Sequence, residues 1–187
     1  LNTVLLQTDR LILRELEESD LPGLNEYAQD PEIFRYQEYG PFNENETRVH
    51  LRNMIAYQRE IPRVYYELAV ILRANSQLIG NGGIHISSFT NRQGWIDCFL
   101  SRKFWNLDYA TEITIALLGF GFKDLKLHRI FANCAPSNIG SERVLIKVGL
   151  KREGYLRDYN LVRGKWQDAL LYSMLEEEWI KIPPILK

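Results

Sequence analysis

Apolar positions along the chain switch repeatedly between a period near two and a period near 3.6, the pattern of strands alternating with helices. Arg10 to Glu15 (RLILRE) reads as a short strand, and from Ser19 the run SDLPGLNEYAQD places Leu24, Tyr27 and Ala28 on one helical face until Asp30-Pro31 stops it. A second helix is predicted from Thr47 to Arg59, where Val49, Leu51, Met54, Ile55 and Gln58 approach helical spacing before Pro62. Three strands follow. Val64 to Leu72 puts Tyr66, Leu68, Val70 and Leu72 on one face, a polar turn leads into Leu78 to Ser87, and Gln93 to Ser101 completes an antiparallel meander. Tyr109 to Lys123 then carries Ala110, Ile113, Ala116, Leu117 and Phe120 on one stripe, with apolar residues over much of the remaining circumference, as in a helix packed on a sheet. Gly119 and Gly121 each cost about 1 kcal/mol of helix propensity, so tertiary packing must hold its second half. The tail repeats the alternation: strand His128 to Cys134, helix Asn138 to Val148 closed by Gly149, and strands Arg152 to Tyr159 and Trp166 to Leu175.

The predicted order is β-α-α-β-β-β-α-β-α-β-β, an α/β (α+β) fold around a mixed, mostly antiparallel sheet. Strand Gln93 to Ser101, the helix after it and strand His128 to Cys134 form a parallel crossover unit. Ligands in such sheets sit where the carboxyl end of a strand meets the following helix, here Ser101 to Ala110. With 187 residues and 45% hydrophobic content, one domain over 1–187 is expected, large enough to bury its core without disulfides or a structural metal. Cys98 and Cys134 show no metal-ligand spacing and read as buried thiols, so no metal is expected. Lys and Arg total 23 against 24 Asp and Glu, a balance that argues against a nucleic-acid partner. No run is long and apolar enough for a membrane span, and Leu1 to Arg10 has no leader pattern, so a soluble cytoplasmic protein is expected.

Five local sequences carry a resemblance: TDRLILREL (Thr8 to Leu16), YATE (Tyr109 to Glu112), LHRIFANCAPSNIGSERVLIKVGL (Leu127 to Leu150), REGYLRD (Arg152 to Asp158) and GKWQDALLYSML (Gly164 to Leu175). In this order, over nearly the whole chain, they resemble the GNAT superfamily of acetyl-CoA-dependent N-acetyltransferases, in the branch of the ribosomal-protein alanine N-acetyltransferases. The resemblance implies acetyl-CoA as co-substrate, an amine acceptor such as a protein N-terminus, a polyamine or another small amine, and a possible homodimer through the terminal strands. It also implies a loop whose backbone N–H groups, with those of the next helix's first turn, hold the cofactor pyrophosphate. The family pattern there is Arg or Gln, two residues, Gly, one residue, Gly. This chain reads Lys103-Phe104-Trp105-Asn106-Leu107-Asp108, followed by Tyr109 and Ala110, with both glycines replaced. Asn106 tolerates a left-handed backbone. Asp108 is placed to cap the helix with its carboxylate, stabilising the empty helix end and opposing a phosphate. These replacements motivate an alternative reading, a GNAT-fold binding or regulatory protein with weakened acetyl-CoA binding. Arg102 and Lys103 would offset the charge or lie in solvent.

Acetyl transfer needs an unprotonated amine, stabilisation of charge on the thioester oxygen and a proton for the departing thiolate. By resemblance, an amide near Phe99 to Ser101 polarises the thioester, with Leu100 the named candidate. Asn138 and Ser141 match an Asn-x-x-Ser pattern in which the serine protonates the thiolate and the asparagine binds cofactor; helix capping is the competing role. Lys147 reaches a phosphate or lies on a solvated face. Asp97 is the first candidate base, with Asp158, Glu112 or a water relay as alternatives, and Glu112 also suits a first helical turn. Asp168 reads as a structural hydrogen-bonding group. His85 and His128 read as structural and His50 as a surface residue. Phe34, Tyr36, Tyr39 and Phe42 line either the core or an acceptor groove, and acceptor choice is expected in the loops Phe34 to Glu46 and Asn160 to Lys165.

Overall fold

The computed structural model describes residues 3–181; residues 1, 2 and 182–187 of the expected domain lie outside the described residues. Its elements are β1 (Leu5–Gln7), β2 (Leu11–Glu15), α1 (Leu21–Ala28), α2 (Glu44–Tyr57), β3 (Tyr65–Leu72), β4 (Leu78–Ser88), β5 (Gln93–Leu100), α3 (Tyr109–Lys123), β6 (Arg129–Cys134), α4 (Ile139–Lys147), β7 (Lys151–Val162), β8 (Lys165–Leu175) and α5 (Glu176–Lys181). Short 3-10 turns precede α1 and α3. The eight strands form one sheet in the order β1-β2-β3-β4-β5-β6-β8-β7. Every neighbouring pair is antiparallel except β5 with β6. None of the described helices is long and apolar enough to cross a membrane.

Differences from the expected elements have local causes. β1 is three residues long, too short to show a period, and α5 carries one buried apolar residue, Trp179, behind three glutamates. α2 begins three residues before the predicted Thr47 because Asn43 and Glu46 form a capping box: the Asn43 side chain accepts from the Glu46 amide at 3.0 Å, and Glu46 accepts from the Asn43 amide at 2.8 Å. Asn138 caps α4 rather than belonging to it. β7 runs on to Val162, so the expected loop Asn160 to Lys165 shrinks to a turn at Arg163 and Gly164, both at positive φ.

The core lies on both faces of the sheet. α1 and α2 press Leu24, Tyr27, Leu51 and Met54 onto one face, and α3 presses Ile113, Leu117 and Leu118 onto the other, against Ile84, Ile96, Leu100 and Ile130. Each such side chain contributes about 1.5–3 kcal/mol on leaving water. Close approach of α3 depends on Gly121, where a Cβ would meet the Cδ1 atoms of Ile84 and Ile130 at 2.5 Å. Gly119 faces only Trp179 at 3.5 Å, an ordinary contact. Alanine substitutions should therefore differ in sign: Gly119→Ala gains about 0.5–1 kcal/mol from helix propensity, whereas Gly121→Ala loses about 1 kcal/mol or more to overpacking. Urea unfolding of the two variants checks this; equal midpoint shifts would remove the packing argument.

Candidate active site

β5 and β6 pair only over Gln93–Trp95 and Arg129–Phe131. Beyond Trp95 the strands part, each held by its other neighbour: β5 by β4 as far as Leu100, and β6 by β8 as far as Cys134. A cleft of about 770 Å³ opens in the gap and has two sides. One is built from the N-terminal ends of α3 and α4, including Tyr109, Ala110, Asn138 and Ser141, with Lys147 from the last turn of α4; the other from Ile33, Tyr36, Asp97, Phe99, Gln167 and Asp168.

The hydrogen-bond register shows what β5 offers to the gap. The Ser101 amide donates to the Ile79 carbonyl at 2.8 Å, which makes Leu100 and Gly80 a non-hydrogen-bonded pair. The Leu100 N–H therefore points away from β4, toward the cleft, and its carbonyl accepts from Trp105 Nε1 at 2.9 Å. Alternation along the strand puts Asp97 and Phe99 on the α1/α2 face, opposite α3.

The loop before α3 keeps the backbone shape that glycines would allow. Asn106 and Asp108 have φ of 59° and 63°, in the left-handed region that Asn and Asp enter more readily than most residues. Asp108 does not cap the helix as expected. Its backbone occupies the cap position in the left-handed region, so its carboxylate turns away from the first-turn amides and accepts from Lys147 Nζ at 2.6 Å. That hydrogen bond, reinforced by the charge, lowers the Asp108 pKa. Lys147 thus lies on a solvated face of α4, at the edge of the cleft, with Asp108 as its partner.

Arg102 pairs with Asp30 at 2.9 Å and Lys103 with Glu26, tying the 3-10 turn to the end of α1. Lys103 and Leu107 lie off the cleft wall, and the Leu107 carbonyl accepts from Arg10 Nη1 at 3.0 Å. Glu112 is engaged by the Thr8 hydroxyl, the Arg10 amide and Arg10 Nε, which leaves it no part in the cleft. At α4, Asn138 Oδ1 accepts from the Ser141 amide at 3.2 Å, so the cap uses the Ser141 backbone and leaves its hydroxyl out of it. Asp168 accepts from Tyr155 Oη at 2.5 Å and from the Asp158 amide at 2.8 Å, fastening the irregular middle of β7 where Asp158 has φ of 49°. Asp158 does not line the cleft. Phe34 is buried and packs on Phe42 and Phe99, whereas Tyr36 lines the cleft and donates to the Ser137 carbonyl at 3.0 Å. Exposed His50 stacks on Phe42.

Asp97 has a setting that the sequence reading missed. Glu67, Gly83 and Asp97 lie in one row across β3, β4 and β5. Gly83 contributes no side chain, and the imidazole of His85 leans into its place: a Cβ there would meet His85 Nε2 at 2.7 Å. Nε2 thereby lies 3.3 Å from Glu67 Oε1 and 3.6 Å from Asp97 Oδ1. His85 is 1% exposed, between Trp95 at 4.0 Å and Tyr65 at 5.3 Å ring to ring. Burial opposes charge on His85, but Asp97 and then Glu67 outweigh it and raise its pKa. Burial, followed by the charge of Asp97, raises that of Glu67.

A through-sheet cleft at parting parallel strands, with a helix N-terminus on one side and a carboxylate on the other, suits group transfer between two separately entering substrates. The acetyltransferase (GNAT) domain model matches residues 10–151. The chain belongs to the GNAT acetyltransferase family. Among relatives of this acetyltransferase is an uncharacterized N-acetyltransferase, YnaD, of Bacillus subtilis, 34% identical over 176 residues and covering 93% of this chain and 98% of the relative. The [ribosomal protein uS5]-alanine N-acetyltransferase of Escherichia coli is 23% identical, covering 94% and 93%. A crystal structure of a GNAT-family acetyltransferase from Bacillus anthracis superposes with a TM-score of 0.83 at 32% identity, covering 94% of this chain and all of that one. These likenesses lend no support to a non-catalytic regulatory module, and the geometry of Asp108 removes the cap on which that alternative partly rested.

Proposed function

We propose that this acetyltransferase moves acetyl from acetyl-CoA, bound on the α3/α4 side of the cleft, to a primary amine entering from the α1/α2 side. The observation that carries this reading is the single strand β5, which presents a backbone N–H at Leu100 to the gap and a carboxylate at Asp97 to the opposite face. The cleft volume lies in the range of sites that enclose small-molecule ligands. Amides of Tyr109 and Ala110 at the start of α3, free of the Asp108 carboxylate, suit a pyrophosphate. Asn106 and Asp108 hold that loop's shape, with the Asp108 carboxylate paired to Lys147 at its edge.

When bound, acetyl-CoA supplies an activated acyl group. The Leu100 N–H donates to the thioester oxygen as negative charge develops there. Asp97 takes the proton that the acceptor ammonium must lose before it attacks. The Ser141 hydroxyl passes a proton to the leaving sulfur and is replenished by the second proton of the attacking nitrogen. One proton thus ends on CoA and one on the enzyme. Asp97 and Asp168 on the acceptor side favour a cationic amine such as a protein N-terminus or a polyamine, Glu32 being paired with Arg35.

Thiol release from acetyl-CoA, assayed with alanine- and serine-starting peptides, spermidine and simple alkylamines, tests the reading, with mass spectrometry to identify product. Turnover with at least one amine is expected. No turnover with any of them, together with no calorimetric binding at millimolar acetyl-CoA, would refute it. The loop makes a separate prediction: Asp108→Gly should bind acetyl-CoA several-fold more tightly. The substitution removes a negative charge beside the phosphate path, releases Lys147 and suits a φ of 63°. The gain should shrink as salt rises, and melting should change little, because the lost pair is exposed. Unchanged affinity at low salt would place the phosphates elsewhere.

A further inference from the structure

We propose that Glu67 and His85 are positioning residues for Asp97, and that the three side chains together hold the proton taken from the acceptor ammonium. This rests on the assignment of Asp97 as the base. Two carboxylates flank one imidazole nitrogen, the three facing side-chain atoms lie within 4.8 Å of one another, and His85 is enclosed by protein. Neither ring nitrogen of His85 has a hydrogen-bond partner, and the same holds for Asp97 Oδ1. Buried polar atoms without partners are costly, and perturbed titratable groups of this kind gather at functional sites.

The charge arithmetic defines that work. With both carboxylates ionised and His85 protonated, the cluster carries one net negative charge and can take one proton to become neutral. Asp97 is the member on the cleft wall, so protons enter there. Glu67 lies behind it, its second oxygen accepting from Asn81 Nδ2 at 3.3 Å, while Asn81 accepts from Tyr27 Oη at 2.6 Å. The other groups bearing on the cluster are Asp20 through Tyr27 on the α1 side, Tyr39 and Glu38 in the following loop, His50 and Tyr57 on α2, Tyr65 on β3 and Cys98 on β5. Desolvation, complete at Tyr27 and partial at the more exposed Tyr39 and His50, raises the two phenols and lowers the imidazole, so none of the three adds a charge near neutral pH. Shared uptake in such a cluster gives apparent pKa values that belong to the group rather than to one residue.

Two measurements test this. In the whole protein labelled with ¹⁵N-imidazole, the His85 titration midpoint should lie above that of a free histidine. It should fall by about one pH unit in Glu67→Gln and again in Asp97→Asn, as each anionic neighbour is lost. A wild-type midpoint at or below the free value overturns the proposal without reference to activity. The second measurement is the pH profile of kcat, using the amine found to turn over. Glu67→Gln removes negative charge, so its acid limb should move to lower pH; His85→Gln removes positive charge and should move the limb to higher pH. Glu67→Asp should restore the wild-type limb, and KM for acetyl-CoA should stay within about two-fold in all three. Turnover with an unmoved limb would reduce Glu67 and His85 to structural roles while leaving the acetyltransferase reading intact. Activity lost to EDTA and regained with zinc would overturn the proposal by replacing the shared proton with a metal. Absence of turnover with every amine would defeat the base assignment and this inference with it, whereas the His85 titration would still report on the cluster.

Discussion

Asp97→Asn is expected to lower kcat by about 10³-fold, within the range for loss of a general base, while leaving acetyl-CoA affinity unchanged. The separation follows from the strand: Asp97 faces the α1/α2 side, whereas the N-terminal ends of α3 and α4 lie across the gap. Asparagine keeps the shape of the side chain but cannot take a proton. Because the acceptor amine is mostly protonated near neutral pH, the variant should recover partially as pH rises and the free amine becomes available without help. Steady-state kinetics from pH 6 to 10, with calorimetry for acetyl-CoA, would measure both effects. A variant retaining more than about a tenth of wild-type kcat at neutral pH would point instead to a water relay independent of Asp97.

Ser141→Ala should reduce kcat by about 10²-fold with acetyl-CoA affinity and melting temperature nearly unchanged. The stability half of this expectation comes from α4, where the capping bond runs from the Ser141 amide to Asn138 and survives loss of the hydroxyl. Asn138→Ala should show the reverse pattern, losing about 1 kcal/mol of stability with the cap. Thiol esters with better leaving groups should narrow the kinetic defect of Ser141→Ala, since an acidic thiol needs its proton less. An unchanged defect across such a series would exclude proton donation by Ser141.

Much of the fold was legible because long amphipathic segments announce themselves: the predicted limits of α3 match the observed Tyr109–Lys123. Local turn chemistry was legible in part. The left-handed backbone that Asn106 tolerates is open to Asp108 as well, and the one dihedral angle that decides there between capping and turning away is not written in the residue type. The Glu67–His85–Asp97 cluster could not be read at all. Its members are 18 and 12 residues apart in the chain, and their meeting depends on the register of three strands and on the space left by Gly83. A histidine two residues after a glycine on a predicted strand was the one available hint. The parting of β5 and β6 was equally hidden, because both strands have ordinary strand sequences and separation is a property of the pair.

That parting has a thermodynamic consequence. A sheet interrupted at its centre has two internal edges, and the amides of Cys98 and Leu100 on one of them have no strand across the gap. An occupant of the cleft that contacts both edges stabilises the native state by mass action, about 2.7 kcal/mol when present at a hundred times its dissociation constant. The halves of the sheet on either side, β1–β5 and β6–β8, would then be coupled through the occupant as well as through three residue pairs and the helices. Resistance to unfolding would track the supply of acetyl-CoA, and slower amide exchange at Cys98 and Leu100 would report occupancy in the absence of any acceptor.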